Sequence, residues 1–404
     1  MKLTKALPIA FASALMAGVI VMSAVLKKTP VKAEPASATA SQAAEKRKAP
    51  AEMRGVWITY MELSMENESD KSEAAFRKKF TEIAENCRDF GFNTLVVQVR
   101  PFCDAIYSSK LFPASHILSG EQGKSAGYDA LEAVCEICRD RGLSVHAWVN
   151  PYRVTANKTP AKLSEKNPCV KDESLVIKTD SGIILDPSSA EARKLIEDGV
   201  LEIAENYDVD GIQFDDYFYP TDMGNQDSAR YEKYLSSAPK GSAMDLETWR
   251  TFNVSLLISE VYLSLHKSCP GVVFGISPQG NLSNNKGLCA DVVSWCCKRG
   301  FIDYICPQIY FSLENPALGF EDALDDWTSL DIAKGVKLYV GLAGYKAGSD
   351  ADDGTWLDAE DVLSREVNIL KENNKINGMM LYSYASLFEQ AAAKEMRNLK
   401  RAIR

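Results

Sequence analysis

From residue 53 onward the chain switches eight times between short apolar runs and longer amphipathic ones, and no other feature restricts its fold as much. The short runs fall at 53–60, 94–99, 144–149, the first half of 210–220, 272–276, 304–308, 337–342 and 378–382. They are rich in branched aliphatic and aromatic residues, as strands are. The longer runs cover 73–90, 129–141, 189–207, 246–268, 290–298, 320–329, 358–373 and 388–402, with Gly91 and Gly142 closing the first two. Their apolar spacing predicts helices. Strands that alternate with helices and are apolar nearly throughout need cover on both faces, which describes a parallel sheet. Eight such units predict a closed (β/α)8 barrel over residues 53–404, with long loops after strands three and four. An open doubly wound sheet is the alternative, but no Gly-rich phosphate turn follows strand one.

The segment before the barrel has a different character. Lys2 and Lys5 precede an uncharged run over 6–26, which Lys27 and Lys28 close. At 21 residues the run is long enough to cross a bilayer, and Val31-Lys32-Ala33 offers a small-residue cleavage site. Residues 1–33 are therefore expected to be a signal peptide or a membrane anchor. Residues 34–52, without aromatics or branched aliphatics, are expected to form a flexible linker. Either reading of 1–33 places the barrel outside the cytoplasm, secreted or held on the outer face of the cytoplasmic membrane through that segment alone.

Charge narrows the partners. Residues 1–52 hold eight basic and three acidic residues, which leaves 38 basic against 52 acidic, a net −14, for residues 53–404. Such a surface repels nucleic acid and anionic lipid, and a neutral substrate suits it better. The ten cysteines do not read as a staple framework: Cys87, Cys135 and Cys138 fall in helical runs, Cys306 in an apolar strand, and Cys296-Cys297 are adjacent. His116, His146 and His266 share no metal-ligand spacing, so neither a metal nor another cofactor is expected.

In a (β/α)8 barrel the chemistry sits where the strands end. The fourth strand ends as Asp210-Gly211-Ile212-Gln213-Phe214-Asp215-Asp216-Tyr217-Phe218-Tyr219-Pro220, two adjacent carboxylates followed by aromatics. Ionised aspartates are rarely buried unpaired, so this pair belongs at a wet mouth. The other strand ends supply Arg100 and Asp104; His146, Trp148, Asn150, Tyr152 and Arg153; Tyr217; Gln308 and Tyr310; Tyr345 and Lys346; and Tyr382. Amides, charges and aromatic faces together suit a sugar, whose ring presents hydroxyls at its rim and C–H faces above and below. Asp215 and Asp216 are the candidate catalytic pair and the others candidate substrate-binding residues. Glu62, Gln98, Gln279 and several further strand-end residues share the same mouth.

Seven motifs, in order along residues 53–384, resemble those of the bacterial glycosyl-hydrolase-like family 10. They are Arg54-Gly55-Val56-Trp57, Val97-Gln98-Val99-Arg100-Pro101, His146-Ala147-Trp148-Val149-Asn150-Pro151-Tyr152-Arg153, the Asp pair's own run, Ile276-Ser277-Pro278, Pro307-Gln308-Ile309-Tyr310 and Gly344-Tyr345-Lys346. Two positions depart from the family: Ala114, where it tends to carry an aromatic, and Gln213, where it tends to carry His or another polar residue. The resemblance implies an exported barrel hydrolysing glycosidic bonds in a polysaccharide, with an N-acetylhexosamine-containing peptidoglycan glycan as the expected substrate.

Strand seven ends Gly341-Leu342-Ala343-Gly344-Tyr345 and brings no carboxylate, so the common pairing of acid on strand four with nucleophile on strand seven is absent. Adjacent carboxylates on strand four are similar to the arrangement of substrate-assisted hexosaminidases. By that analogy Asp216 is the general acid, its pKa raised by the charge of Asp215, while Asp215 polarises the sugar's acetamido group. Tyr310 and Asn150 are then expected to hydrogen-bond the acetamide, and Arg100 to keep Asp215 or Asp104 ionised. Two alternatives stay open: a plant-type polysaccharide hydrolase with Glu62 or Asp104 as second carboxylate, and a sugar-binding barrel without catalysis.

Overall fold

The computed structural model describes residues 50–357 and 359–404. The expected signal or anchor at 1–33 and most of the 34–52 linker lie outside the described residues. No helix among the described residues is long and apolar enough to cross a membrane.

Among the described residues eleven strands form two sheets. In chain order they are β1 Met53–Ile58, β2 Thr94–Arg100, β3 Ser144–Val149, β4 Arg153–Ala156, β5 Val176–Lys178, β6 Gly182–Leu185, β7 Gly211–Phe214, β8 Val273–Ile276, β9 Tyr304–Ile305, β10 Lys337–Ala343 and β11 Ile376–Tyr382. Eight of them close a parallel barrel in the order β1, β2, β3, β7, β8, β9, β10, β11 and back to β1. This is the predicted (β/α)8 architecture, and β7 is its fourth barrel strand. β9 is shorter than the run 304–308 because Pro307 has no N–H to give to the ladder. Pairing resumes at Gln308, which bridges Gln279 and Gly341.

The outer helices begin and end where their caps dictate. Glu73–Phe90 starts on Ser72, whose side chain accepts the Ala75 N–H, and stops at Gly91, where φ is 126°. Leu246–Ser268 starts on Asp245, which accepts the Thr248 N–H at 2.8 Å. The helix predicted over 358–373 spans Val362–Glu372 instead, and Asp358 itself lies outside the described residues. Its first turn is capped from another helix: the Glu395 carboxylate accepts the N–H groups of Val362 and Leu363 at 3.2 and 2.6 Å. The loop after β3 is not irregular, because β4, β5 and β6 pair antiparallel into a small sheet of their own. The loop after β7 contains a helix, Ser228–Ser237.

The barrel interior alternates large and absent side chains. Tyr304 packs where Gly275 has none, and His146 where Gly211 has none. His146 Nδ1 lies 2.9 Å from the Tyr304 hydroxyl, and burial pushes the imidazole down to about 4. His146 is thus a neutral residue of the barrel floor and not the substrate contact expected from its strand; its side chain points inward a full layer below the mouth. One layer up, Trp57 Nε1 donates to Gln213 Oε1 at 2.6 Å, and Gln213 in turn donates to the Met380 sulfur at 3.5 Å. Gln213 therefore serves the core. None of the ten cysteines is in a disulfide, and eight of them are buried.

A Cβ placed on Gly275 would lie 2.1 Å from the Tyr304 ring. Gly275→Ala is expected to destabilise the fold by about 1–3 kcal/mol through overpacking, measured by denaturant unfolding. Gly287→Ala, where nothing lies within 4 Å, serves as the control and is expected to stay within about 0.5 kcal/mol of the parent.

Candidate active site

Alternation along the barrel strands decides which residues reach the mouth. On β3 the inward positions are His146 and Trp148, and Asn150 follows; on β7 the inward Gln213 is followed by Asp215. Trp148 and Gln213 are register partners. Asp215 is 4% exposed. Its Oδ2 accepts Trp148 Nε1 at 3.0 Å and the Asn150 amide, and its Oδ1 accepts the backbone N–H of Tyr217 at 3.3 Å. Behind Asn150 the donors continue in one direction: Gln98 Nε2 donates to Asn150 Oδ1 at 2.6 Å, and the Tyr60 N–H donates to Gln98 Oε1 at 2.9 Å. Each amide is oriented by the one behind it, so the relay ends with an N–H aimed at Asp215.

Asp216, half-buried, is held by the other side of the mouth. Gln279 donates to its Oδ2, and Gln308 Nε2 donates to its Oδ1 at 3.3 Å while also reaching Ser277 O at 2.8 Å. Neither carboxylate forms an ion pair among the described residues. Arg153, whose charge acts on both, donates Nε to Pro101 O at 2.9 Å. Its guanidinium is stacked between the rings of Phe102 and Tyr217, 4.9 and 5.0 Å from their centroids.

Burial pushes Asp215 up to about 7; the charge of Arg153 pulls against that rise, and the neighbouring Asp216 adds to it. Burial also raises Asp216, and its bonds from Gln279 and Gln308 pull it back. The expected cause, mutual repulsion, is secondary to desolvation. Both carboxylates border a cavity of about 410 Å3 walled by Trp57, Trp148, Tyr310, Tyr345 and Tyr382. Ring centroids of Tyr310, Tyr345 and Tyr382 stand 5.8–5.9 Å apart, forming an aromatic cup. Lys346 borders the cup too, but its ammonium is spent on Tyr310 O at 2.7 Å and on Asp352 at 2.6 Å, so it braces the wall.

The chain has counterparts among known proteins. The glycosyl hydrolase-like 10 family model matches residues 52–358. The chain belongs to that family. It is 33% identical over 358 residues to the glycosyl hydrolase YngK of Bacillus subtilis, covering 83% of this chain and 69% of that one. It is 29% identical over 367 residues to the glycosyl hydrolase DigH of Escherichia coli, covering 82% of each. Among solved structures, the glycoside hydrolase domain of PgaB from Bordetella bronchiseptica superimposes with a TM-score of 0.56 at 14% identity, over 86% of this chain and 98% of that one. An α-L-fucosidase from Paenibacillus thiaminolyticus gives 0.53 at 12% identity, over 87% of this chain and 49% of that one. At such identities the structures speak for the fold alone. Family membership carries the reaction class: the chain is a glycoside hydrolase.

Several of the expected strand-end residues do not border the cup, Arg153 lining the adjoining cleft instead. A register shift between Gln98 and Arg100 turns Arg100 outward. Its guanidinium donates to Pro151 O at 3.1 Å and lies 4.7 Å from the centre of the Phe112 ring, and no ion pair joins it to Asp104 or Asp215. Asp104 is fully buried in the loop after β2, accepting Gln122 Nε2 at 3.1 Å with His116 Nδ1 at 3.4 Å. Tyr152 is buried against Phe218, ring centroids 6.5 Å apart. Glu62 accepts Ser383 Oγ at 2.9 Å and the N–H groups of Thr59 and Ala385, tying the end of β1 to the loop after β11. Neither proposed second carboxylate, Glu62 or Asp104, borders the cup. Asn150 is fully buried behind the cup lining, with its amide oriented between Gln98 and Asp215, so it supports Asp215 rather than contacting an acetamide. Among the expected residues, Trp148, Tyr217, Gln308, Tyr310, Tyr345, Lys346 and Tyr382 line the cup with the Asp pair. Gln279 and Trp57 join them. The signal for Trp57 was its inward position on β1, and for Gln98 the single amide in an otherwise apolar run.

A buried carboxyl held above its ordinary pKa weakens the fold as pH rises. The cost is absent below the ordinary aspartate value, grows between it and about 7, and is complete above that. Asp215→Asn is therefore expected to match the parent in calorimetric stability near pH 4 and to exceed it above about pH 7, by up to about 4 kcal/mol. An equal difference at both pH values would count against the buried, proton-retaining Asp215.

Proposed function

We propose that the chain hydrolyses an N-acetylhexosamine-containing glycan of the bacterial cell wall, with peptidoglycan strands as the substrate class, outside the cytoplasm. The export half of this reading comes from the lysine-flanked apolar run over 6–26. Residues 1–33 would deliver or anchor the barrel and residues 34–52 would tether it.

One observation carries the chemistry: the two carboxylates bordering the cup are sequence neighbours on one strand end. Paired carboxylates that act alone on a glycoside must flank the sugar, about 5 Å or more apart on opposite faces. Neighbours presented from one side leave the far face without a nucleophile. A 2-acetamido group supplies it from within the sugar.

The sugar ring stacks in the aromatic cup with its acetamido N–H directed at Asp215. That contact adds a donor to the anionic form of Asp215, lowering its pKa and leaving the pair's proton to Asp216. Asp216 gives the proton to the glycosidic oxygen as the bond to the anomeric carbon breaks. The acetamido carbonyl oxygen attacks that carbon from the opposite face, closing an oxazolinium-type ring whose charge Asp215 balances. The Tyr310 hydroxyl holds the acetamido group in this reading, which its place in the cup wall supports. Asp216, now a carboxylate, takes a proton from water, which reopens the ring and restores the acid.

The test is a matched pair of substrates: an N-acetylglucosamine oligomer, and the same oligomer with hydroxyl in place of the acetamido group. The acetamido oligomer alone is expected to be cut, and Asp216→Asn to slow its cleavage by about 10²–10⁴-fold while retaining binding. Equal turnover of the two oligomers would refute the substrate-assisted route.

A further inference from the structure

Asp216 stands on a divide. On one side is the aromatic cup; on the other is a second cleft of about 700 Å3, and both are bordered by Asp216, Tyr217 and Gln279. Past Thr221, Gln279 and Leu288 the second cleft opens into a third hollow of about 850 Å3. The three spaces run one into the next.

The second cleft is built rather than left over. Its outer wall is the sheet of β4, β5 and β6, through Thr155, Ala156, Gly182 and Ile184. The barrel closes without this sheet, so its presence is not explained by closure. It is pinned to the loop after β7, where Asp222 accepts the Ser181 N–H at 2.8 Å. On the inner wall Tyr60 packs edge-on to Phe102 at 5.1 Å, and the Arg153 guanidinium is held between Phe102 and Tyr217. Tyr217 is 56% exposed although its ring is propped from behind. A fixed, exposed aromatic face beside an acid pair is a stacking platform for a pyranose.

The direction of the chain follows from the roles already assigned to the pair, on which this inference rests. The sugar that offers its acetamido group to Asp215 occupies the cup. The glycosidic oxygen must lie within reach of Asp216, at the divide, so the departing sugar passes over Tyr217 into the second cleft. The charges along the way are largely satisfied by the protein: Lys286 pairs with Glu247 at 3.1 Å, and Arg250 pairs with Asp227. That favours recognition of the sugars through their hydroxyl and amide groups.

We infer that the cleft walled by the β4–β6 sheet and the hollow beyond it bind the leaving-group side of the glycan, seating at least two hexopyranoses past the bond that is cut. The substrate is accordingly a polymer, and the departing product is longer than one sugar.

Full-length protein carrying Asp216→Asn to stop turnover is titrated with N-acetylglucosamine oligomers of two to six units, and the parent digests the six-unit oligomer labelled at its reducing end. Affinity is expected to rise about tenfold or more from the shortest to the longest. Thr221→Trp, an exposed substitution at the junction of the second and third spaces, is expected to abolish that gain. The labelled product is expected to be two sugars or longer. Affinity independent of length, equal weakening of short and long oligomers by Thr221→Trp, or a labelled monosaccharide as the sole labelled product overturns the proposal. Length-dependent binding with no cleavage by the parent supports the cleft and refutes instead the hydrolytic role of the pair.

Discussion

Two carboxylates lie side by side in a half-dry cup and are held by neutral N–H donors. Ion pairing would be the stronger hold, and it would also drive both acids to their ionised form. Amide, indole and backbone N–H groups position the oxygens of Asp215 and Asp216 while leaving desolvation free to raise both pKa values. Arg153 acts at a distance, its guanidinium committed to Pro101 and to two aromatic rings. The arrangement costs fold stability at neutral pH and favours retention of a proton by the pair.

The barrel's part is to make that arrangement rigid. Tyr304 and His146 fill the floor over two glycines, and Trp57, Gln213 and Met380 interlock above them. On this base Trp148 has little freedom, and its indole N–H meets Asp215 at 3.0 Å. The relay from Tyr60 through Gln98 and Asn150 brings a second oriented donor from two neighbouring strands. Preorganised dipoles of this kind need no rearrangement as charge shifts during the reaction.

The barrel was legible because every strand is short, apolar and separated from the next by a helical period. The helices over 73–90 and 246–268 were legible to the residue, since Ser72, Gly91 and Asp245 cap them. The Asp pair stood out as two charges at the end of a buried run. What the sequence concealed has physical reasons. β4, β5 and β6 are three or four residues each, too short for periodicity to register. Arg100, Asp104 and Tyr152 follow strands as the true cup residues do, but a shift in register and the turn of the chain carry them behind the wall. Glu62 and Lys346 looked available because the sequence does not display the partners that occupy them. Burial outweighs repulsion at Asp215, a balance that depends on how deep the strand end sits.

Retention of a proton by this pair at neutral pH can be observed directly. Carboxyl-carbon NMR of aspartate-labelled protein, titrated from about pH 4 to about pH 9 and assigned with Asp215→Asn and Asp216→Asn, reports each ionisation. One carboxyl of the pair is expected to stay protonated through the ordinary aspartate range and to titrate near the value of about 7 set by the burial of Asp215. Both carboxyls fully ionised by about pH 5 would contradict it.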